Sequence, residues 1–248
     1  MTTTRKDFHP GDFGALFSAR EVADRMAAVL PDCHRAAAEF WRVPLEAPHL
    51  SPRMKELVLF AMHASAASLN VGSITRQIDR ALAAGASRED LVDVLISIVG
   101  LANHALYASV PVLQEELRAA GIVPQATSAD LSGFAAAKER FIRIRQFWNP
   151  DRDALAERIP EYFSVLTDLS VAAWEHGPLT RKEREFICIG IDCTVSHSYA
   201  PGLRIHIRNA LAQGATEGEI LEIFQLAATM GLDAYVVSAE ALFATTGS

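Results

Sequence analysis

The chain has 248 residues, of which 50% are hydrophobic and 21% charged, and its formal net charge at pH 7 is −7. This length is sufficient for one large domain or two small ones. The acidic average, with no run of Lys and Arg to offset it, argues against nucleic acid as a partner. No run of eighteen apolar residues predicts a membrane span, and the first residues, MTTTRKDFHPGDF, lack the apolar segment of a secretory signal. We therefore expect a cytoplasmic protein.

The sequence gives no sign of a disulfide framework or of a metal site. The three cysteines are Cys33, Cys188 and Cys193, and no C-x-x-C is present. The eight histidines do not form H-E-x-x-H or a similar metal-ligand spacing. We therefore predict neither a metal nor another cofactor.

An internal repeat organises the chain, at an offset of 129 residues without gaps. The matching pairs are Leu50 with Leu179, Glu56 with Glu185, Ile78 with Ile207, Gly85 with Gly214, Ser109 with Ser238, and Leu113 with Leu242. This pattern indicates tandem duplication of one structural unit. We predict a first unit at 1–120, a linker at 121–149 and a second unit at 150–248.

In chain order, the first copy reads as a series of helices. Two amphipathic helices are expected at 22–30 and 33–41. A buried helix begins at the Ser51-Pro52 start signal, and the next helix ends at Gly85. Ser87-Arg88-Glu89-Asp90 fits a capping box that opens another helix, and a last helix is expected near 105–119.

The second copy repeats this order after the linker. The linker begins with GIVPQATSADLSG, which reads as a loop, and 134–148 is a further candidate helix. Helices follow near 153–175, after Thr180, up to Gly214, after a capping box at Thr216, and near 234–244. Period-2 alternation is nearly absent, so the predicted class is all-α.

A family pattern runs through the second copy, LTRKEREF followed by HIRNALAQGATEGEILEIF. The residues that carry it are Leu179, Thr180, Lys182, Arg184, Glu185, His206, Arg208, Ala210, Leu211, Gly214, Ala215, Thr216 and Glu219. The chain thereby resembles the carboxymuconolactone decarboxylase family, which includes the alkylhydroperoxidase D-like proteins. The first copy keeps Glu56 but has Gln77 at the histidine position.

The resemblance implies an alkylhydroperoxidase D-like helical bundle in tandem, and a homo-oligomer, here a dimer or trimer. The peroxidase branch of the family uses C-x-x-C-x-x-x-H, and this chain lacks the dithiol. The decarboxylase branch needs no cofactor. We therefore expect a cofactor-independent lyase that performs acid–base chemistry on a small carboxylated or lactone-type metabolite by decarboxylation, isomerisation or a related proton transfer.

The candidate catalytic residues are His206, at the family's histidine position, with Glu185 as its orienting carboxylate, and His197. Arg204 is a candidate for binding an anionic group of the substrate, and Tyr199 is a second candidate for substrate binding. Pro201-Gly202 replaces the polar pair that often precedes the histidine in the decarboxylases.

Two secondary candidates lie in the first copy, His63 and His104. Each also fits a core histidine with a buried partner. Two other functions stay open. Cys193, four residues before His197, is a candidate substrate-binding or nucleophilic thiol, which would suit a thiol-dependent hydroperoxide reductase. A non-catalytic binding or scaffold protein is the third possibility.

Overall fold

The computed structural model describes residues 8–123 and 132–244, and within these ranges it contains thirteen α-helices and no strand. The first six are α1 (Arg20–Val29), α2 (Pro31–Glu46), α3 (Pro52–Ala64), α4 (Val71–Ala83), α5 (Arg88–Val99) and α6 (Asn103–Ala119). The others are α7 (Ser132–Arg145), α8 (Asp151–Arg158), α9 (Pro160–His176), α10 (Arg181–Cys193), α11 (Ala200–Ala212), α12 (Glu217–Thr229) and α13 (Leu232–Ala244). The predicted all-α class is confirmed.

The helix ends follow the capping residues in the sequence. The Ser51 hydroxyl accepts a hydrogen bond from the backbone N–H of Met54 at the start of α3. Capping boxes at Ser87 and Thr216 open α5 and α12 as predicted. After α4, Gly85 takes a φ of 97°, a left-handed conformation that a residue without a β-carbon adopts at little cost.

The helices of the second half recur at the spacing of the sequence repeat. Helices α9 to α13 each begin 129 residues after α2 to α6, respectively. The segment expected to be a linker contains α7, which packs against α9 through Phe141, Ile144 and Val171. Most of the predicted loop before it, at 124–131, lies outside the described residues.

The two halves share one hydrophobic core centred on α3 and α10. Both helices are buried along nearly their whole length, as the all-round apolar sequence of α3 predicts. Gly190 of α10 permits their close approach, because a β-carbon there would come within 2.9 Å of the Val58 side chain. The two central helices therefore fix how the halves pack together.

Two reciprocal buried ion pairs cross between the halves. Arg184 of α10 binds Asp93 of α5 with both terminal nitrogens, and one of these bonds measures 2.7 Å. At the corresponding positions, Lys55 Nζ of α3 lies 3.5 Å from a Glu222 carboxylate oxygen of α12. All four side chains are at most 2% exposed, so each charge depends on its partner in the other half.

Two long apolar stretches, 88–119 and 217–243, meet the length and hydropathy of a membrane span, with 39% of each window buried in the protein. In the fold each stretch is divided between two helices. The first is α5 and α6, and the second is α12 and α13. Leu91, Val94, Ile223 and Leu226 of these helices belong to the shared core.

The buried ion pairs between the two halves allow a prediction about the free energy of unfolding. Asp93→Ala leaves the Arg184 guanidinium buried without its carboxylate, so urea unfolding should show a loss of about 3–5 kcal/mol. The double replacement Asp93→Leu with Arg184→Met should recover most of that loss. As a control, Asp168→Ala removes a surface pair with Arg140 and should cost less than about 1 kcal/mol. Equal losses in Asp93→Ala and the control would contradict the prediction.

Candidate functional site

A buried histidine–carboxylate pair joins α10 and α11. His206 Nδ1 lies 2.6 Å from Glu185 Oε2, and Asn209 Nδ2 donates a hydrogen bond of 3.1 Å to Glu185 Oε1. Because Glu185 accepts at Nδ1, the other ring nitrogen, Nε2, is available to a second group. The geometry is the orienting contact that the sequence predicts between Glu185 and His206.

The surroundings of His206 favour its charged form. Burial opposes the imidazolium, but the neighbouring Cys188 sulfur and the Glu185 carboxylate outweigh it and raise the pKa of His206 to about 10. At neutral pH the ring is therefore a proton donor. Its Nε2 lies 4.0 Å from Asp192 Oδ2, which belongs to the last turn of α10.

The Asp192 carboxylate lies within 4.0 Å of three histidines of the site. Its side chain is 0% exposed, and neither carboxylate oxygen has a hydrogen-bond partner among the described residues. Burial raises the pKa of Asp192 to about 7, with His206 opposing the rise and Glu185 adding to it. Gly202 leaves room for the carboxylate, because a β-carbon there would collide with Oδ2.

Two histidines meet the Asp192 carboxylate on its other side. His104 Nδ1 lies 2.8 Å from His197 Nε2, and these nitrogens lie 3.7 Å and 3.5 Å from Asp192 Oδ1. The Tyr199 ring stacks on His104 with centroids 4.0 Å apart. Burial lowers the pKa of both histidines, for His104 to about 3, so both rings are neutral at pH 7.

A cavity of about 290 Å³ opens beside these groups. Its polar lining includes His206, His104, Tyr199, Cys188, Arg145 and Arg152. Aromatic side chains complete the wall, namely Tyr107, Phe147, Trp148 and Trp174. This volume lies at the lower end of the range for small-molecule sites, which suits a small metabolite.

Two arginines of the cavity have no carboxylate partner in the described ranges. Arg152 is buried, its Nε and Nη1 have no hydrogen-bond partner there, and its guanidinium lies 4.0 Å from the Phe141 ring centroid. Arg145 donates to the Ser170 carbonyl, leaves Nε unpaired and stacks 4.2 Å from the Trp174 centroid. Unpaired buried donors of this kind suit an anionic ligand.

The first half has no equivalent of this arrangement. There Glu56 binds Arg80 at 2.6 Å and Gln77 at 2.5 Å, so its charge is neutralised without a histidine. At a separate location between α3, α4 and α13, His63 Nδ1 lies 3.6 Å from an Asp233 carboxylate oxygen, and Arg76 donates a hydrogen bond of 2.6 Å to Asp233. His63 is therefore a core histidine with a half-buried carboxylate partner.

The structure brings together most of the predicted residues, and it separates three of them, Arg204, Cys193 and His63, from the cavity. His206, His104 and Tyr199 line the cavity. Glu185 and His197 do not line it, but they contact His206 and His104, respectively. Arg204 lies on the exposed side of α11 and does not line the cavity. Its predicted role in anion binding does not fit this position, because residues two apart on a helix face opposite ways.

Cys193 also lies outside the cavity lining. Burial, together with the Asp192 charge, raises the pKa of the Cys193 thiol to about 12, and the thiol contacts the Gly190 carbonyl at 3.4 Å. A thiolate is the nucleophilic form of cysteine, so this environment opposes a nucleophilic role.

The sequence reasoning missed Arg145, Arg152 and Asp192. The two arginines lie in and just after the segment assigned to the linker, and the family pattern does not include them. The run FIRIRQFWNPDR places arginines among aromatic residues, a composition typical of a stacked cation. That composition is the signal that could have pointed to them.

The fold and site define an all-helical protein with a buried histidine–carboxylate pair beside a small cavity. The sequence model of the carboxymuconolactone decarboxylase family matches residues 160–244. A crystal structure named as a putative gamma-carboxymuconolactone decarboxylase subunit, from Burkholderia xenovorans LB400, is 30% identical, with a TM-score of 0.85. The match covers 95% of this chain and 94% of that one. No curated protein sequence matches the chain. The chain belongs to the carboxymuconolactone decarboxylase family.

The thiol environments make a prediction about cysteine reactivity. At pH 7 iodoacetamide should alkylate the exposed Cys33 well before Cys193, because a pKa of about 12 leaves almost no thiolate. Peptide mass spectrometry over time measures both sites in one sample, so Cys33 is the internal control. Equal rates at the two sites would restore the thiol-dependent alternative.

Proposed function

We propose that the protein is a cofactor-independent lyase that decarboxylates, or otherwise transfers a proton on, a small carboxylated or lactone-type metabolite. The observation that carries this proposal is the Glu185–His206 pair beside the cavity, 2.6 Å apart and buried. The similar structure from Burkholderia xenovorans bears the name of a putative gamma-carboxymuconolactone decarboxylase subunit, which supports the same substrate class.

In the decarboxylation step, His206 acts as the general acid. The bond between the substrate carbon and its carboxylate breaks, CO2 leaves, and the electron pair moves into the conjugated carbonyl as an enolate. The imidazolium of His206 then delivers its proton to carbon, and it regains one from water. Glu185 stabilises the imidazolium and fixes the ring, as a carboxylate does for a catalytic histidine.

Arg145 and Arg152 supply the positive charge for an anionic substrate. Their unpaired nitrogens in a largely aromatic cavity favour a carboxylate over a neutral ligand. The same charge stabilises an enolate oxygen as it forms, because fixed cations are most effective where water is excluded. The aromatic walls suit the flat ring of an unsaturated lactone.

We further propose one active site per chain, in the unit at 150–248, with residues from the unit at 1–120 and from the segment 121–149 completing it. In the first half, Gln77 and Arg80 occupy the positions of His206 and Asn209, and neither transfers protons readily near pH 7. A cytoplasmic homo-oligomer, a dimer or trimer, agrees with the family and with the word subunit in the similar structure's name.

The cavity also bears on the two alternatives. A scaffold protein has no need of a water-accessible space with a buried histidine and two unpaired arginines. A hydroperoxide reductase that used Cys193 would need a thiolate, and the surroundings of that thiol disfavour one. Acid–base chemistry is therefore the function that we retain.

The first test replaces the acid–base group while keeping its hydrogen bond. His206→Gln reproduces the side-chain bond that Gln77 makes to Glu56 in the first half, so folding should be preserved. With γ-carboxymuconolactone and related carboxylated lactones as substrates, CO2 release should fall by about 10²–10⁴-fold in kcat. His176→Gln, on an exposed histidine, is the control and should keep wild-type turnover. Unchanged turnover in a folded His206→Gln variant would remove the proposal.

The second test separates the cavity arginines from the surface one. Hydrogen bonds to charged groups contribute about 1.5–3 kcal/mol, so Arg152→Met should raise KM roughly 10- to 100-fold. Arg204→Met is the matched control, since Arg204 is exposed on α11, and its KM should stay within about twofold. Steady-state kinetics on the same substrates measure both. A larger rise of KM in Arg204→Met than in Arg152→Met would indicate that Arg204 on α11 binds the anionic substrate.

A further inference from the structure

The cluster formed by His104, Asp192 and His197 is not needed for the acid–base step of His206. One ligand atom from each, His104 Nδ1, His197 Nε2 and an Asp192 carboxylate oxygen, lies within 4.8 Å of the others. The three residues come from α6, the end of α10 and the loop before α11. The spacing of these residues in the sequence therefore does not predict that His104 meets the other two.

The distances are close to those of ligands around one small cation. Four-coordinate ligands at about 2.0–2.1 Å from Zn²⁺ are about 3.3 Å apart. The observed separations are 2.8 Å between the two imidazole nitrogens, and 3.5 Å and 3.7 Å from these to Asp192 Oδ1. Shifts of about half an ångström would equalise them, which ordinary side-chain motion allows.

The surroundings of the Asp192 carboxylate provide a second, independent observation in favour of a cation site. Its carboxylate is fully buried and aimed at the two histidines, and neither oxygen has a hydrogen-bond partner among the residues that the structure describes. A buried carboxylate without hydrogen bonds is costly unless a cation or a metal satisfies it.

The repeat-related location between α3, α4 and α13 is satisfied without a metal. There Asp233 of α13, at the position of His104, receives hydrogen bonds from Arg76 and Ser73 in addition to its contact with His63, at the position of Asp192. In the second half the positions of Arg76 and Ser73 are taken by Ile205 and Gly202. The exchange removes a guanidinium and a hydroxyl, and it leaves two imidazoles and one carboxylate.

We propose that His104, Asp192 and His197 bind one divalent transition-metal cation at the edge of the cavity. Two imidazoles and a carboxylate are a ligand set that Zn²⁺ and Fe²⁺ accept, with at least one coordination position left for water or substrate. His206, with Nε2 at 4.0 Å from Asp192 Oδ2, supports the carboxylate from outside the ligand set. The site departs from the metal-free expectation of the sequence.

Metal binding is tested directly, without reference to turnover. Untagged protein is stripped with EDTA and titrated with Zn²⁺ by calorimetry, and with Co²⁺ by its visible absorption. We expect one equivalent per chain in both titrations. Asp192→Asn and His197→Ala should weaken binding by more than about 100-fold, because even supporting residues contribute 10- to 100-fold. His176→Ala, an exposed histidine outside the cluster, should bind as the wild type does.

Each outcome decides the proposal. Absence of binding to wild-type protein, or equal affinity in wild type, Asp192→Asn and His197→Ala, overturns it. His104→Gln provides a third ligand variant, and circular dichroism confirms that each variant is folded. His206→Gln should lose turnover yet still bind one equivalent of Zn²⁺, so failure of the acid–base proposal and failure of the metal site give different results.

Discussion

The arrangement of the site depends on charges buried between the two halves. Asp93 binds Arg184 of the other half and also accepts a hydrogen bond from the backbone N–H of Leu179, just before α10. Glu222 likewise pairs with Lys55 and accepts a hydrogen bond from the backbone N–H of Leu50, just before α3. A buried ion pair is favourable only when its remaining hydrogen bonds are made, and here they are. In α10, Arg184 is followed directly by Glu185, so the contact between α10 and α5 also fixes the position of the carboxylate that pairs with His206.

The two halves share a scaffold but treat their polar groups differently. Glu56 of the first half and Asp233 of α13 are each neutralised by an arginine of α4. Beside the cavity, Asp192, Arg145 and Arg152 each have buried side-chain atoms without a hydrogen-bond partner within the described ranges. Unpaired buried groups lower stability, so a fold retains them where they contact a ligand. The carboxylates at the repeat-related location are thus paired with arginines, whereas charged groups beside the cavity keep unpaired atoms.

Local patterns in the sequence were sufficient for the helices and for one contact of the site. Caps at Ser51 and Ser87 depend on neighbouring residues, and the pairing of His206 with Glu185 follows from the family motif. The meeting of His104 with His197, 93 positions apart, depends on packing across the halves and has no local signal. The sequence predicts Arg204 at the site because it lies two residues before His206. On a helix, however, side chains two residues apart point to nearly opposite faces.

The position of Pro201-Gly202 in the structure explains why these residues replace the usual polar pair. Proline suits the first turn of α11, and glycine clears the space into which the Asp192 carboxylate points. Under one alignment with the peroxidase motif, His197 stands where a cysteine of the dithiol would be. A buried thiol beside a carboxylate is hard to ionise, whereas a neutral imidazole beside a carboxylate is ready to bind a cation or relay a proton. In this chain that position therefore carries an imidazole that faces the Asp192 carboxylate, in place of a thiol.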